Sequence, residues 1–352
     1  MNLVLTFDYE LFGDGRGNVF NHLVEPMDQI LGLCNEYNIN TTIFFEVVEY
    51  LRLKEECDKG NLMGYANSPV YAIEQQIQKA AMDGHDIQLH LHPQWVNAKY
   101  LDGVWKVDMS NWRLGDFKKD NYRIYDLLKD SKNALENLIK PVKTDYKCIA
   151  FRAGGYNILP SAELYSAMQQ IGLKMDSSVY PGGFENGILS KYDYRNVSEI
   201  SDYWWADAND MRKPSNSEKG ILEIPIFALP VNRWKRLLTI SKIKSLLLNH
   251  NSAMSSVTKE KVGSKSINEK IKFLFAKEST LWDVCMLSKS LHKHYFKYIE
   301  KNLRNKRDTF VLIGHPKSLK NKNIFKNFMK TAITRKIQYK FLTLAEFYEH
   351  LI

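Results

Sequence analysis

Two histidines separated by a single residue occupy the segment Ile87-Gln88-Leu89-His90-Leu91-His92-Pro93. Successive side chains of a β-strand point to opposite faces, so an extended segment would place both imidazoles on one face and the leucines on the other. Pro93 lacks a backbone donor and predicts the end of that strand. Two imidazoles side by side at a strand end can ligate a transition metal. The alternative is a structural pair satisfied by hydrogen bonds.

Short apolar runs rich in β-branched and aromatic residues predict the elements that must position these histidines. Strands are predicted at 2–8, 41–47, 87–93, 147–152, 173–178, 221–226 and 309–316. Helical patterns lie between them at 26–37, 69–83, 121–140 and 160–171. Strands that alternate with helices are typical of a parallel α/β sheet or barrel.

Six side chains that can do chemistry lie at, or just past, the ends of four predicted strands: Asp8, Glu10, His90, His92, Arg152 and His315. In parallel α/β folds the carboxyl ends of the strands converge on one active face. We therefore expect these side chains to meet at one rim. A carboxylate near two imidazoles favours a metal site, although a surface salt bridge for Arg152 and a structural role for His315 remain the alternatives.

Several short motifs occur in an order that resembles the polysaccharide deacetylase family (NodB homology, carbohydrate esterase family 4). They are Thr6-Phe7-Asp8, Gly84-His85-Asp86-Ile87 followed by His90, Phe151-Arg152-Ala153-Gly154, Asp176-Ser177-Ser178 and Ile313-Gly314-His315. The resemblance covers about residues 2–230 and 309–345. The stretches Tyr9-Glu10 and 90–95 are similar to a divergent, WbmS-like branch associated with O-antigen or capsule sugar clusters.

The resemblance implies a single domain over residues 1–352 that forms a distorted (β/α)7-type barrel of parallel strands. Residues 232–307 break the strand–helix rhythm, with amphipathic helices predicted at 237–248, 266–276 and 281–303. We interpret them as a helical, basic insertion before the last strand. The implied activity is hydrolysis of an N-acetyl or related acyl group on a sugar of a surface-polysaccharide precursor, linked to a lipid or a nucleotide.

The resemblance also implies a role for each strand-end residue and one divalent metal, usually zinc. Asp8 would be the general base, Arg152 would keep Asp8 ionised and oriented, and His315 would be the general acid for the leaving amine. The metal would activate water and polarise the acyl carbonyl. Its expected ligands are Glu10, His90 and His92. Asp202 or Asp207 would orient His315.

Two positions depart from the family pattern. The metal-binding aspartate that usually follows the base is Tyr9 here, and the usual second histidine, four residues after His90, is Gln94. Glu10 and His92 are the expected replacements, since each shares a strand face with its functional neighbour. The changes leave open an altered ligand set, a different metal or a metal-independent reaction.

Charge is unevenly distributed along the chain. Residues 231–340 hold 26 Lys+Arg and 6 Asp+Glu, whereas the whole chain has a net charge of +9. This asymmetry suggests an anionic partner, such as a membrane surface or a phosphate-bearing substrate, or else a solvated lysine-rich surface. Nucleic acid is disfavoured because no zinc-finger or RNA-recognition motif is present.

Four scattered cysteines without CxxC spacing fit a reducing compartment, and no run approaches the roughly 20 apolar residues of a membrane span. With no signal-peptide pattern at the start, the expected location is cytoplasmic, with peripheral contact at the inner membrane face as an option. The competing functional interpretation is a catalytically silent or metal-independent carbohydrate-binding barrel.

Overall fold

The structure is a computed structural model that describes residues 1–117, 122–187, 189–237 and 275–352. Nearly all of the helix predicted at 237–248, and most of the one predicted at 266–276, lie outside the described residues. The proposed insertion at 232–307 therefore stays a prediction.

The main sheet of the described residues is built on a path of seven parallel strands, as expected for the barrel. In chain order they are β1 (Asn2–Tyr9), β2 (Thr42–Glu46), β3 (Asp86–Leu91), β6 (Ala150–Ala153), β7 (Met175–Asp176), β11 (Leu222–Glu223) and β14 (Thr309–Gly314). Their spatial order is β11-β7-β6-β3-β2-β1-β14. The long strands are buried almost throughout, because helices or loops cover both faces of a parallel sheet.

The remaining strands extend or decorate this path. β10 (Trp204–Trp205) pairs antiparallel with β11, and β15 (Lys340–Leu342) pairs parallel with the start of β1. Three antiparallel pairs lie outside the main sheet: β4 (Lys99–Leu101) with β5 (Val104–Lys106), β8 (Phe184–Asn186) with β9 (Lys191–Asp193), and β12 (Ala228–Asn232) with β13 (Lys277–Leu281).

The sheet curls until its two ends approach each other. Just after β11, Ile226 forms a parallel bridge with Val311 of β14, and the Phe227 N–H donates to the Val311 carbonyl oxygen at 2.8 Å. A second parallel bridge joins Asp283 to Ile313. The carboxyl ends of β1, β3, β6 and β14 therefore face one rim, as the strand-end argument requires.

The longer of the described α-helices pack their apolar faces on the outside of this sheet, whereas the short helix that follows β12 contacts that strand. The described helices are α1 (Glu25–Glu36), α2 (Val47–Asp58), α3 (Pro69–Met82), α4 (Ile124–Ile139), α5 (Ser161–Gln170), α6 (Arg233–Leu237), α7 (Lys289–Tyr298), α8 (Lys322–Ile333) and α9 (Leu344–Leu351). Among the residues described, none of these helices combines the length and the apolar character needed to cross a bilayer.

The helix predicted at 281–303 is wrong in its first third. β13 ends at Leu281, and α7 begins only at Lys289, after the Ser288 hydroxyl has accepted the Leu291 N–H as its N-cap. Between them the Asp283 carboxylate accepts the backbone N–H groups of Cys285 and Met286 and closes a turn. This turn brings Asp283 to the edge of β14.

Candidate active site

Asp8 and Arg152 form a buried ion pair at the ends of β1 and β6. Arg152 Nη1 lies 2.6 Å from Asp8 Oδ1, and neither side chain is accessible to more than 2%. Arg152 Nε also donates to the Ser177 carbonyl oxygen at 2.7 Å, and its Nη1 donates to the Thr6 hydroxyl at 2.9 Å. These bonds hold the guanidinium in one orientation, so it fixes the Asp8 carboxylate in turn.

Glu10, His90 and His92 form a cluster next to this ion pair. Glu10 Oε2 lies 3.4 Å from His90 Nε2 and 3.1 Å from His92 Nδ1. The two imidazole centroids are 4.8 Å apart, so the predicted common face of the histidines is present. His90 Nδ1 is 2.8 Å from the Arg152 carbonyl oxygen, which turns its Nε2 toward Glu10.

Two contacts that the sequence analysis missed hold the His92 ring in place. Glu46, at the end of β2, places its Oε2 2.9 Å from His92 Nδ1, while its other carboxylate oxygen accepts the Val48 and Glu49 N–H groups that begin α2. On the other side, a Cβ atom at Gly154 would lie 2.5 Å from His92 Cδ2. Glu46 is the penultimate residue of the strand predicted at 41–47, so the strand-end rule could have included it.

His315 stands opposite the metal-ligand candidates. Its Nε2 lies 3.5 Å from Asp8 Oδ2 and 3.2 Å from the Tyr156 hydroxyl. Its Nδ1 lies 3.0 Å from Asp283 Oδ2. Asp8, Glu10 and His315 offer ligand atoms within 4.8 Å of one another, so the strand-end residues meet at one mouth.

The partner of His315 is a correction to the sequence analysis. Asp283 contacts the ring, and the expected Asp202 and Asp207 do not. Asp202 accepts the Asp308 N–H, and Asp207 accepts backbone N–H groups in its own turn. Asp283 could not be identified as a partner of His315 from local sequence patterns, because it lies in a segment predicted to be helical and reaches β14 only through the turn described above.

Lys317 brings an unexpected cation into the site. Its Nζ lies 2.7 Å from Glu10 Oε1 and donates to the Leu11 carbonyl oxygen at 2.7 Å, and its side chain is 13% exposed. The two carboxylate oxygens of Glu10 therefore contact different groups. Oε1 faces the ammonium group, and Oε2 faces the histidines.

Burial and charge oppose each other in the pKa values of the site. Burial would raise the pKa of Asp8, but the nearby Arg152 guanidinium and two imidazoles outweigh it, so that pKa lies below its usual value. Burial also opposes ionisation of Glu10, yet Lys317 and the histidines hold its pKa well below normal. For His315, burial lowers the pKa, but contact with Asp283 and Asp8 leaves it raised.

The donor set at Glu10, His90 and His92 fits a divalent cation. His90 Nε2 is buried and has no hydrogen-bond partner among the described residues. Despite desolvation, the surrounding carboxylates raise the pKa of His90 to about 9, which reflects a field that favours positive charge at this position. One carboxylate and two imidazoles are typical ligands of zinc. Gln94 donates from its Nε2 to the Gly13 carbonyl oxygen at 3.3 Å.

Comparison with known proteins identifies the fold. No family model and no curated protein matches the chain. Among solved structures, a Mycobacterium smegmatis protein assigned as a polysaccharide deacetylase is similar at 12% identity, with a TM-score of 0.50 over 99% of this chain and 89% of the other. PuuE allantoinase is similar at 12% identity and a TM-score of 0.51, with the same two coverages. The curled, mostly parallel sheet is the NodB-type deacetylase barrel.

Proposed function

We propose that this protein is a hydrolase that removes an N-acetyl or related acyl group from a sugar. The observation that carries the proposal is the meeting of an Asp8–Arg152 pair, a Glu10–His90–His92 cluster and a His315–Asp283 pair at one mouth of the barrel. Hydrolysis of an amide needs a base for the water, an acid for the leaving nitrogen and stabilisation of the developing oxyanion. The site offers candidates for all three.

Asp8 is the proposed general base and His315 the proposed general acid. The lowered pKa of Asp8 supports a carboxylate that is ionised at neutral pH and free to take a proton from the attacking water. The raised pKa of His315 supports a ring that holds a proton for the leaving nitrogen. Their facing atoms, Oδ2 and Nε2, are 3.5 Å apart, so one bound amide group could contact both.

Glu10, His90 and His92 would hold a divalent metal, for which zinc suits the ligand types. Such an ion supplies Lewis-acid polarisation of the acyl carbonyl and a lower pKa for bound water. The chain's own contribution is to orient the ligands. Arg152 fixes His90 through its carbonyl oxygen, and Glu46 lies beside the His92 Nδ1 atom that also faces Glu10. Such supporting contacts tune a metal site as much as the ligands do.

We further propose that the sugar belongs to a surface-polysaccharide precursor. This substrate class rests on the ordered sequence motifs and on the O-antigen or capsule branch to which residues 90–95 are similar. The fold shared with the M. smegmatis protein that is assigned as a polysaccharide deacetylase is compatible with it.

The test is hydrolysis of N-acetylated sugars and their nucleotide-linked forms by the zinc-loaded chain, followed as acetate release. Asp8→Asn should lower kcat about 10²–10⁴-fold, the usual contribution of a general base. His315→Asn provides a second variant, since it leaves the buried Arg152 paired. The exposed Asp193→Asn variant is the matched control and should keep full activity. Unchanged turnover in Asp8→Asn would remove the proposed base, and no hydrolysis by the wild type would favour the silent barrel.

A further inference from the structure

A groove on the outside of the barrel is lined by α7, α8 and the segments that follow them. It has a volume of about 740 Å³. The two helices precede and follow β14, so they lie side by side on this edge of the sheet. None of the active-site residues lines the groove.

Six cations line this groove, which we call the basic groove; besides Arg335, they are Lys289, Lys293, Arg304, Lys330 and Lys336. The five cations other than Arg335 are exposed, and none of them makes an ion pair with any residue that the structure describes. Helical lysines in the first half of the chain behave differently. Lys54, for example, pairs with Asp58 one turn away, and Lys79 pairs with Asp83.

The one carboxylate among the lining residues does not balance these charges. Glu300 is already neutralised by Arg335, whose Nε and Nη2 contact both carboxylate oxygens, the second pair at 2.6 Å. The five cations therefore remain in excess. Lys289 and Lys293 also lie one helical turn apart, a spacing at which like charges destabilise a helix. A concave surface lined by charges of one sign concentrates the electrostatic potential inside it and attracts counter-ions.

We propose that the basic groove is a binding site for a phosphate-bearing anion with two or more negative charges. Five cations around one space exceed what a single carboxylate can engage, whereas a diphosphate offers oxygens on several sides. The groove volume lies within the roughly 300–1,000 Å³ of small-ligand sites. A flat membrane surface would not enter a concave groove, but a phosphorylated headgroup or a soluble diphosphate compound would.

The experiment uses the full chain and inorganic diphosphate, titrated by calorimetry at low and at physiological salt. Binding should weaken as salt rises, because cation–phosphate contacts are screened. The double variant Lys293→Gln/Lys330→Gln should weaken binding about tenfold or more, given the typical strength of a Lys–phosphate contact. The matched control is Lys297→Gln/Lys322→Gln. It removes the same charge from exposed positions on the same two helices, outside the basic groove, and should bind within about twofold of wild type.

A second arm distinguishes the source of the phosphate. Neutral vesicles and vesicles containing phosphatidic acid are sedimented with the wild type and both double variants. Binding to phosphatidic acid that is lost only in Lys293→Gln/Lys330→Gln assigns the basic groove to a lipid headgroup, and diphosphate binding without vesicle binding assigns it to a soluble compound. Equal losses in the two double variants would overturn the proposal in favour of diffuse net charge. So would the absence of any binding to diphosphate or vesicles.

Discussion

The contact between Gly154 and His92 offers the sharpest test of how the site is built. A methyl group at position 154 would lie 2.5 and 2.7 Å from two ring carbons of His92 and 2.8 Å from the Leu91 carbonyl oxygen, against 3.4 Å or more for ordinary contacts. The ring cannot simply retreat, because its Nδ1 is held 2.9 Å from Glu46. Gly154→Ala must therefore displace His92 or the strand beneath it.

Overpacking of this kind costs about 1–3 kcal/mol, and a lost hydrogen bond to a carboxylate adds about 1.5–3 kcal/mol. We expect Gly154→Ala to lower the free energy of unfolding by about 4 kcal/mol and the affinity for zinc about 10–100-fold. Gly155→Ala is the adjacent control. Its Cβ would have 4.0 Å of space, and only its left-handed backbone, with φ of +61°, costs about 1–2 kcal/mol.

Urea denaturation of the metal-free chain measures the first quantity, and competition with a chromophoric chelator measures the second. Gly155→Ala should keep the zinc affinity of the wild type. If Gly154→Ala stayed within about 1 kcal/mol of wild-type stability and bound zinc equally well, His92 would not be positioned by this close approach.

Three further variants probe other parts of the structure. Lys317→Met should lower the stability of the metal-free chain by about 3 kcal/mol, because it leaves the Oε1 atom of the buried Glu10 without its ammonium partner. It should raise zinc affinity by removing a competing cation, and a fall in both quantities would refute the competition. Asp283→Asn should reduce kcat about tenfold or more, because His315 loses the contact that orients it, while zinc affinity stays unchanged. A parallel fall in zinc affinity would refute the role of Asp283 in orienting His315. Burial lowers the pKa of His292 to about 3, so the unfolded chain binds a proton at this residue that the folded chain excludes. The contribution of His292 to the free energy of unfolding should therefore fall by about 2 kcal/mol from pH 7 to pH 5. His292→Asn should flatten this dependence in urea titrations, and an unchanged slope would refute it.

Much of the fold could be predicted from the sequence because its central strands are short apolar runs that end at polar residues. β1, β2, β3 and β14 all coincide with such runs. α2 was missed because its first residues look like the continuation of a strand. It follows β2 without a break, opens with the β-branched Val47 and Val48, and is capped by Glu46 rather than by a typical N-cap residue.

The partners of the strand-end residues were less predictable, because they depend on tertiary contacts. Lys317 and Asp283 reach the site through turns beside β14, and no local pattern indicates where such turns place a side chain. Glu46 obeys the strand-end rule and could have been found by applying that rule to every strand.

The two departures from the family pattern are explained by the geometry of β1 and β3. Alternation turns Tyr9 away from the mouth. There its hydroxyl donates to the side-chain Oε1 of Gln76 at 2.7 Å, and its ring stacks on Phe45. Glu10, one residue further, returns to the side of Asp8, with a longer side chain that extends past the end of the strand. The same alternation gives His92 the face of His90. Relative to the family pattern, the carboxylate is moved by one residue, to position 10, and the imidazole by two, to position 92, so the ligand types persist although their positions change. The two shifts support the metal site proposed above, because random loss of either ligand would not place a chemically equivalent group at the same mouth.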